Sequence, residues 1–274
     1  MKTILLAALF VGSTLTSFAQ SDSTGAKTDT IRIGGMIIIK KPGKDGGESR
    51  DVTITSRRRS QLSNVSTNWF IFDLGFANYN DNTNYAAAQQ SGFVSSGIGK
   101  DQLNLRTGKS VNVNIWVFMQ KLNLVKHYVN LKYGLGVELN NYRFDDERVR
   151  FSKNPTVIGF DPTLEKASKN KLAADYVTAP LMLNFNFAPR RHNSFGFSAG
   201  ISAGYLYSAR QKIKDDGHKT KLHDDFNLEK FKLSYIAELT LGPVRLYGSM
   251  ATKSMWEKGL DQTPYNIGIR FSHF

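Results

Sequence analysis

Over residues 69–274 the chain alternates apolar and polar residues with a period of two, and it does so in eight separate runs. Successive side chains of a strand point to opposite faces, so each run predicts a strand with one apolar and one polar side. In the first, Phe70, Phe72, Leu74 and Phe76 oppose Asp73 and Gly75; in the second, Val111, Val113, Ile115, Val117 and Met119 oppose Asn112 and Asn114. Runs over 129–139, 177–187, 195–207, 231–241, 244–250 and 265–271 repeat the pattern. Most reach the length of about ten residues that a tilted strand needs to cross a bilayer, and eight is an even number, as a closed bacterial barrel requires.

The connections carry independent information. Short ones (121–126, 189–194 and the pair Gly242-Pro243) alternate strictly with long ones (79–109, 142–175, 209–230 and 252–264). Short turns on the periplasmic side and long loops outside are the pattern of outer-membrane barrels. Mean hydropathy is only −0.33, and no apolar stretch reaches the roughly 20 residues of a membrane-spanning helix. Alternating strands average out to polar, so this value is compatible with a membrane barrel. The fold expected is therefore all-β: an eight-stranded antiparallel up-and-down transmembrane β-barrel with an N-terminal periplasmic extension.

Three segments follow from this. Lys2, the apolar stretch from Ile4 to Val11, and Ser17-Phe18-Ala19 predict a signal peptide over 1–19, cleaved before Gln20. A basic segment, 20–68, comes next. In it Ile31, Ile33, Ile37 and Ile39 alternate, Lys40-Lys41-Pro42-Gly43 breaks the pattern, and Val52 and Ile54 resume it. A β-hairpin across that turn and a flexible tether both fit. The barrel would occupy 69–274. Pro180 removes a ladder donor from the fourth run, so a bulge or local irregularity is expected there. Trp69, Tyr79, Tyr128, Phe187, Phe195, Tyr205, Tyr207 and Tyr265 stand near strand ends, where interfacial girdles or plain strand propensity would place them.

The chain has no cysteine, hence no disulfide and no lipidated N-terminal cysteine, and a formal charge of +13. Export argues against nucleic acid as the partner of that charge. Outer-membrane lipids, lipopolysaccharide or an acidic envelope protein suit it better. Lys212, Lys214, Lys219 and Lys221 in the third long loop, and Arg143, Arg148, Arg150 and Lys153 in the second, could pair with lipopolysaccharide phosphates or simply solubilise the surface.

Eight strands enclose an interior that side chains can fill. The polar faces place Asp73, Glu138 and Glu238 there with Lys132, Lys232, Arg245 and Arg270, a predicted charge network. Unpaired charges in such a lumen would be costly, so pairing is expected. The network reads as a plug, with a proton or ion path as the alternative. The Gly/Ser face of 195–207 would leave room for Trp116, Phe118 or Tyr247.

No catalytic residues, cofactor or metal site are expected. His218 and His223 share a loop with Asp215, Asp216, Asp224 and Asp225 but lack a recognised ligand spacing. No nucleophile elbow or zinc helix motif occurs. The leading expectation is a non-enzymatic barrel that binds a partner or stabilises the envelope. A small channel and a loop-borne hydrolase are the alternatives.

The segments Asn68-Trp69-Phe70-Ile71-Phe72-Asp73-Leu74-Gly75-Phe76, Leu131-Lys132-Tyr133-Gly134-Leu135-Gly136-Val137-Glu138-Leu139 and Gly200-Ile201-Ser202-Ala203-Gly204-Tyr205-Leu206-Tyr207 resemble the Bacteroidetes outer-membrane barrels of the PorT-like family. The resemblance spans 69–274 and rests on strand motifs. It implies architecture more than activity: some relatives assist protein secretion and gliding, most have no assigned role, and no catalytic residue carries over. The terminal Phe274 resembles the sorting signal read by the barrel assembly machinery, although it is out of phase with Ile267, Ile269 and Phe271.

Overall fold

The computed structural model describes residues 29–33, 36–40, 62–189 and 195–272. The chain divides into two units, 1–61 and 62–274. In the first, β1 (Asp29–Ile33) pairs antiparallel with β2 (Met36–Lys40), Ile33 opposite Met36. This hairpin falls inside the first alternating stretch, and the Pro/Gly-rich break at 41–47, across which a hairpin was expected, lies outside the described residues. The Gly34-Gly35 pair, a strong two-residue hairpin signal, lies between the two strands. The expected signal peptide, Val52, Ile54, and the terminal Phe274 lie outside the described residues.

The second unit is built on β3 (Val65–Asp81), β4 (Val111–Val125) and β5 (Val129–Arg143). A small hairpin follows, β6 (Val149–Phe151) with β7 (Ile158–Phe160). Then come β8 (Lys169–Asn186), β9 (Phe195–Asp215), β10 (His218–His223), β11 (Phe231–Leu241), β12 (Val244–Ala251) and β13 (Gln262–Phe271). The order β9-β11-β12-β13-β3-β4-β5-β8, closed by a β8–β9 pairing, is a ring of eight antiparallel strands, each beside its sequence neighbours. Closure leaves no unpaired edge, which a strand set in lipid requires.

The alternating pattern explains the ring's two faces. Phe72, Leu74, Phe76, Leu181, Leu183, Ile201, Leu233, Ile267 and Ile269 point out and are exposed, while Asp73, Asn112, Asn114, Lys132, Glu138, Ser202, Ser234, Glu238 and Arg270 are buried inside. Turn chemistry fits the short connections. Gly242 has φ 63° and opens the two-residue link between Leu241 and Val244, as a primed hairpin turn demands.

Several boundaries differ from the sequence expectation. β3 starts at Val65, four residues earlier than expected, because Val65 to Asn68 pair with β4. Met119, expected to face lipid, is fully buried, because a register shift between Trp116 and Phe118 reverses the side-chain phase. Phe70, at φ 53°, stands opposite that shift, so Trp69, Phe70, Val117 and Phe118 lie together toward the short-turn end of the ring, with the rings of Trp69 and Phe118 6.0 Å apart. Pro180 brings the local irregularity expected of it, though not as a bulge: β5 and β8 keep one register on either side, from Tyr133↔Leu181 to Gly136↔Thr178, while the intervening rungs drop out. The bulge on this side of the barrel lies instead between Asp175 and Tyr176 of β8, where β9 carries Tyr207 as an extra residue.

Candidate functional site

Inside the ring, β3 and β13 place Asp73 and Arg270 directly opposite each other. The Arg270 guanidinium donates to both Asp73 oxygens, at 2.7 and 2.6 Å, a bidentate pair. Its third nitrogen reaches Glu238 on β11, and Glu238 also accepts from Lys132 on β5. Lys232 donates to Glu138 at 2.5 Å with its ammonium 4.3 Å from the centre of the Tyr176 ring. Three acids thus meet three bases. The remaining acceptor sites are used as well. Asn114 and the Trp116 indole donate to Asp73 at 3.1 and 2.8 Å. Asn140 and Asn266 donate to Glu138 at 3.0 and 3.2 Å.

The seventh predicted residue, Arg245, lies apart from this cluster and donates to the Ser272 carbonyl. With Lys121, Lys132, Asn184 and Thr240 it lines a recess. Room for the large lumen residues comes from other glycines than expected. Trp116 packs against Gly136, where an added Cβ would lie 2.7 Å from the Trp116 Cα. Tyr247 lies over Gly75, its hydroxyl 2.5 Å from where a Cβ would stand, and donates to Asn112 at 2.5 Å. Phe118 is on the outer face beside Trp69. The void left among Trp116, Glu138, Met182, Glu238, Tyr247 and Arg270 is about 20 Å³, room for roughly one water.

Above this network the four long connections fold into a crown with its own apolar core. Phe93, Val94, Ile98 and Leu103 come from the first, Phe144, Val149, Phe151 and Ile158 from the second, Phe226 and Leu228 from the third, and Met255, Trp256 and Leu260 from the fourth. They pack on inward-facing Ala77, Tyr142, Tyr176 and Leu206 of the barrel strands, so the core fills the upper end of the ring. Phe151 is central, its ring 5.8 Å from Phe144, 5.3 Å from Phe226 and 6.1 Å from Trp256. Gly259, at φ 82°, lies so close to Phe93 that a Cβ would come within 2.1 Å of the ring. A polar strut ties the crown to the ring: Trp256 donates to Gln262, and Gln262 and Tyr85 donate to Asp81 at 2.8 and 2.6 Å. Burial pushes the Asp81 carboxyl up, but these bonds and those from Thr83 outweigh it and hold the pKa below its ordinary value.

The sequence reading missed this crown because loops were read as solvated. Its signal was there in Phe144, Phe151, Phe226 and Trp256, apolar residues scattered without strand period. The third connection is largely strand, since β9 runs on to Asp215 and turns back as β10. His218 and His223 are five residues apart on that strand and so project to opposite faces, which separates the two candidate ligands. Among the described residues no group of three or more His, Cys, Asp or Glu is arranged to hold a metal.

A closed eight-stranded ring with an apolar outer face and a filled, charge-paired lumen defines a small outer-membrane barrel. The chain belongs to the outer membrane protein β-barrel domain family, which it matches over residues 70–248. Among solved structures it is similar to the crystal structure of Ail, the attachment invasion locus protein of Yersinia pestis, in complex with the heparin analogue sucrose octasulfate. That similarity has a TM-score of 0.31 at 11% identity and covers 77% of this chain and 100% of that one. A search of curated proteins finds no match.

Proposed function

We propose that the chain is a non-enzymatic integral outer-membrane protein with a structural or partner-binding role in the envelope, exported by its N-terminal signal, and that its crown is the working surface. The observation that carries this reading is the sealed lumen. Asp73, Glu138, Glu238, Lys132, Lys232 and Arg270 are paired with one another, the void among them is about 20 Å³, and the crown core fills one end. The charged interior speaks for a channel, but an ion path would have to part the Arg270–Asp73 and Lys232–Glu138 pairs in a medium of low dielectric. The PorT-like resemblance supports a partner in the secretion machinery of the envelope.

Reconstitution into a planar bilayer tests the reading. The full chain, shown to be folded by a heat-dependent shift in electrophoretic mobility, is expected to give no conductance steps at any voltage. Regular steps from the folded form would overturn it in favour of the channel.

A further inference from the structure

The outer face of the barrel changes character above Val177 and Tyr205. Up to Val177 on β8 and Tyr205 on β9, which pair directly, the outward residues are apolar. Beyond them comes one rung with Asp175 opposite Ser208, and after it the same face of the sheet turns basic. Residues directly opposite across antiparallel strands share a face. Register therefore sets Arg143, Lys171, Lys212 and Lys221 in one row across β5, β8, β9 and β10. The next row outward holds Lys169, Lys214 and Lys219, and the row toward the bilayer holds Arg210 and His223.

Six lysines thus stand in two adjacent rows, about 5 Å apart across strands, in the arrangement that cross-strand pairing disfavours. Among the described residues the Arg210 and Arg143 guanidiniums have carboxylate partners, Asp175 and Glu147, but none of the six lysines has an ion pair. Instead Lys171 donates to Asn141. A cavity of about 390 Å³ opens against this grid, lined by Arg143, Lys169, Lys212, Lys214, Lys219 and Lys221 among others. Burial first, then the neighbouring Lys169, Lys212 and Arg210, lower the Lys171 ammonium to about 8. Like charges held opposite one another around a cavity suit an anion.

We propose that this lysine grid is a binding site for the phosphorylated headgroup of a glycolipid in the outer leaflet. Two observations choose the lipid as the phosphate source. The grid lies on the outward face of the sheet that carries the lipid-facing band, three rungs further along than Val177 and Tyr205. And it is anchored on the ring itself, with Lys169 and Lys171 on β8 and Lys212 on β9, while Lys214, Lys219 and Lys221 continue it on the β9–β10 hairpin. The inference rests on reading the barrel as bilayer-embedded and names the partner of that envelope role.

The test uses the full chain in detergent micelles and four probes: a diphosphorylated glucosamine-disaccharide lipid, the same lipid dephosphorylated, inorganic pyrophosphate, and a sulfated glycan chain. The variant replaces Lys171, Lys212, Lys214 and Lys221 by Gln. Because these changes remove repulsion, the variant is expected to keep the heat-dependent mobility shift of a folded barrel. If it does not, the single variants Lys212→Gln and Lys214→Gln give the same readout. A lysine near an anionic surface contributes roughly a factor of five, so the fourfold variant should bind the phosphorylated lipid at least a hundredfold more weakly, and each single variant about fivefold. The dephosphorylated lipid should bind equally poorly to both forms. Unchanged affinity in the variants overturns the site. Equal affinity for pyrophosphate overturns the lipid as source, and grid-dependent binding of the sulfated glycan without the lipid reassigns the grid to a soluble polyanion. Conductance of the same preparations separates these failures from a failure of the sealed-barrel reading.

Discussion

Arg270 bridges two carboxylates, Asp73 on the neighbouring β3 and Glu238 on β11, which lies beyond β12 on the other side. Removing one partner of a buried pair leaves an uncompensated charge, at a cost of roughly 3–5 kcal/mol. Arg270→Met should therefore lower the stability of the barrel by that amount in urea unfolding from lipid vesicles. A loss below about 1 kcal/mol would mean that the network is solvated. Lys171 gives a second prediction at this scale. With its pKa near 8, among Arg143 and Asn141 on β5, Lys169 and Asp175 on β8, and Lys212 and Arg210 on β9, it loses its charge as pH rises through that value. A bound anion favours the charged form, so affinity for the phosphorylated lipid should fall between pH 7 and 9. In Lys171→Arg, whose guanidinium stays charged, the fall should flatten; an unaltered profile would remove Lys171 from the site. The lumen residues were legible in the sequence because each lies on the polar side of an alternating run. Arg245 also lies on that side, but side alone does not give depth along the barrel, and it stands beside the Ser272 carbonyl, to which it donates. The lysine grid was legible only in part. Lys212, Lys214, Lys219 and Lys221 stood out as a basic loop, but their alignment with Lys169, Lys171 and Arg143 depends on registers between distant strands.

The strands followed from the sequence far better than their ends. Alternation persists wherever one side meets lipid and the other a polar lumen, and in mid-strand it is interrupted at the register shift between Trp116 and Phe118 of β4. It fails where the surroundings change. Above the bilayer both sides of β8 meet protein or water, so Leu172, Ala173 and Ala174 are all buried and period two disappears. It fails also where a residue is inserted, as at Tyr207. Beyond that point Ala209, Gln211 and Ile213 face in and Arg210, Lys212 and Lys214 face out, the reverse of the parity below. β9 thus carries one residue more than its partner, and that residue can be spared. Deletion of Tyr207 should leave the Ser202–Pro180 and Lys212–Lys171 pairings in place and give a barrel that still folds, read by its mobility shift. Deletion of Ile201, in the middle of the band, puts one half of the strand out of step and exchanges lipid-facing for lumen-facing side chains over several residues. Equal folding of the two deletions would refute the bulge.

At the scale of the whole molecule the barrel and its crown are one structure, because β5, β8 and β9 run without a break from the apolar band into the crown, and all four long connections contribute to one core. None of the four can bury its aromatic residues alone. Phe93 needs Trp256 from the opposite end of the chain, and Phe151 needs Phe226. The last of these connections reaches its place only when β13 has come home against β3 and shut the ring. The surface shown to the outside is therefore a certificate of completed assembly. A partner that recognises the folded crown inspects, in the same act, whether the barrel beneath it has closed, and half-made copies have nothing to present.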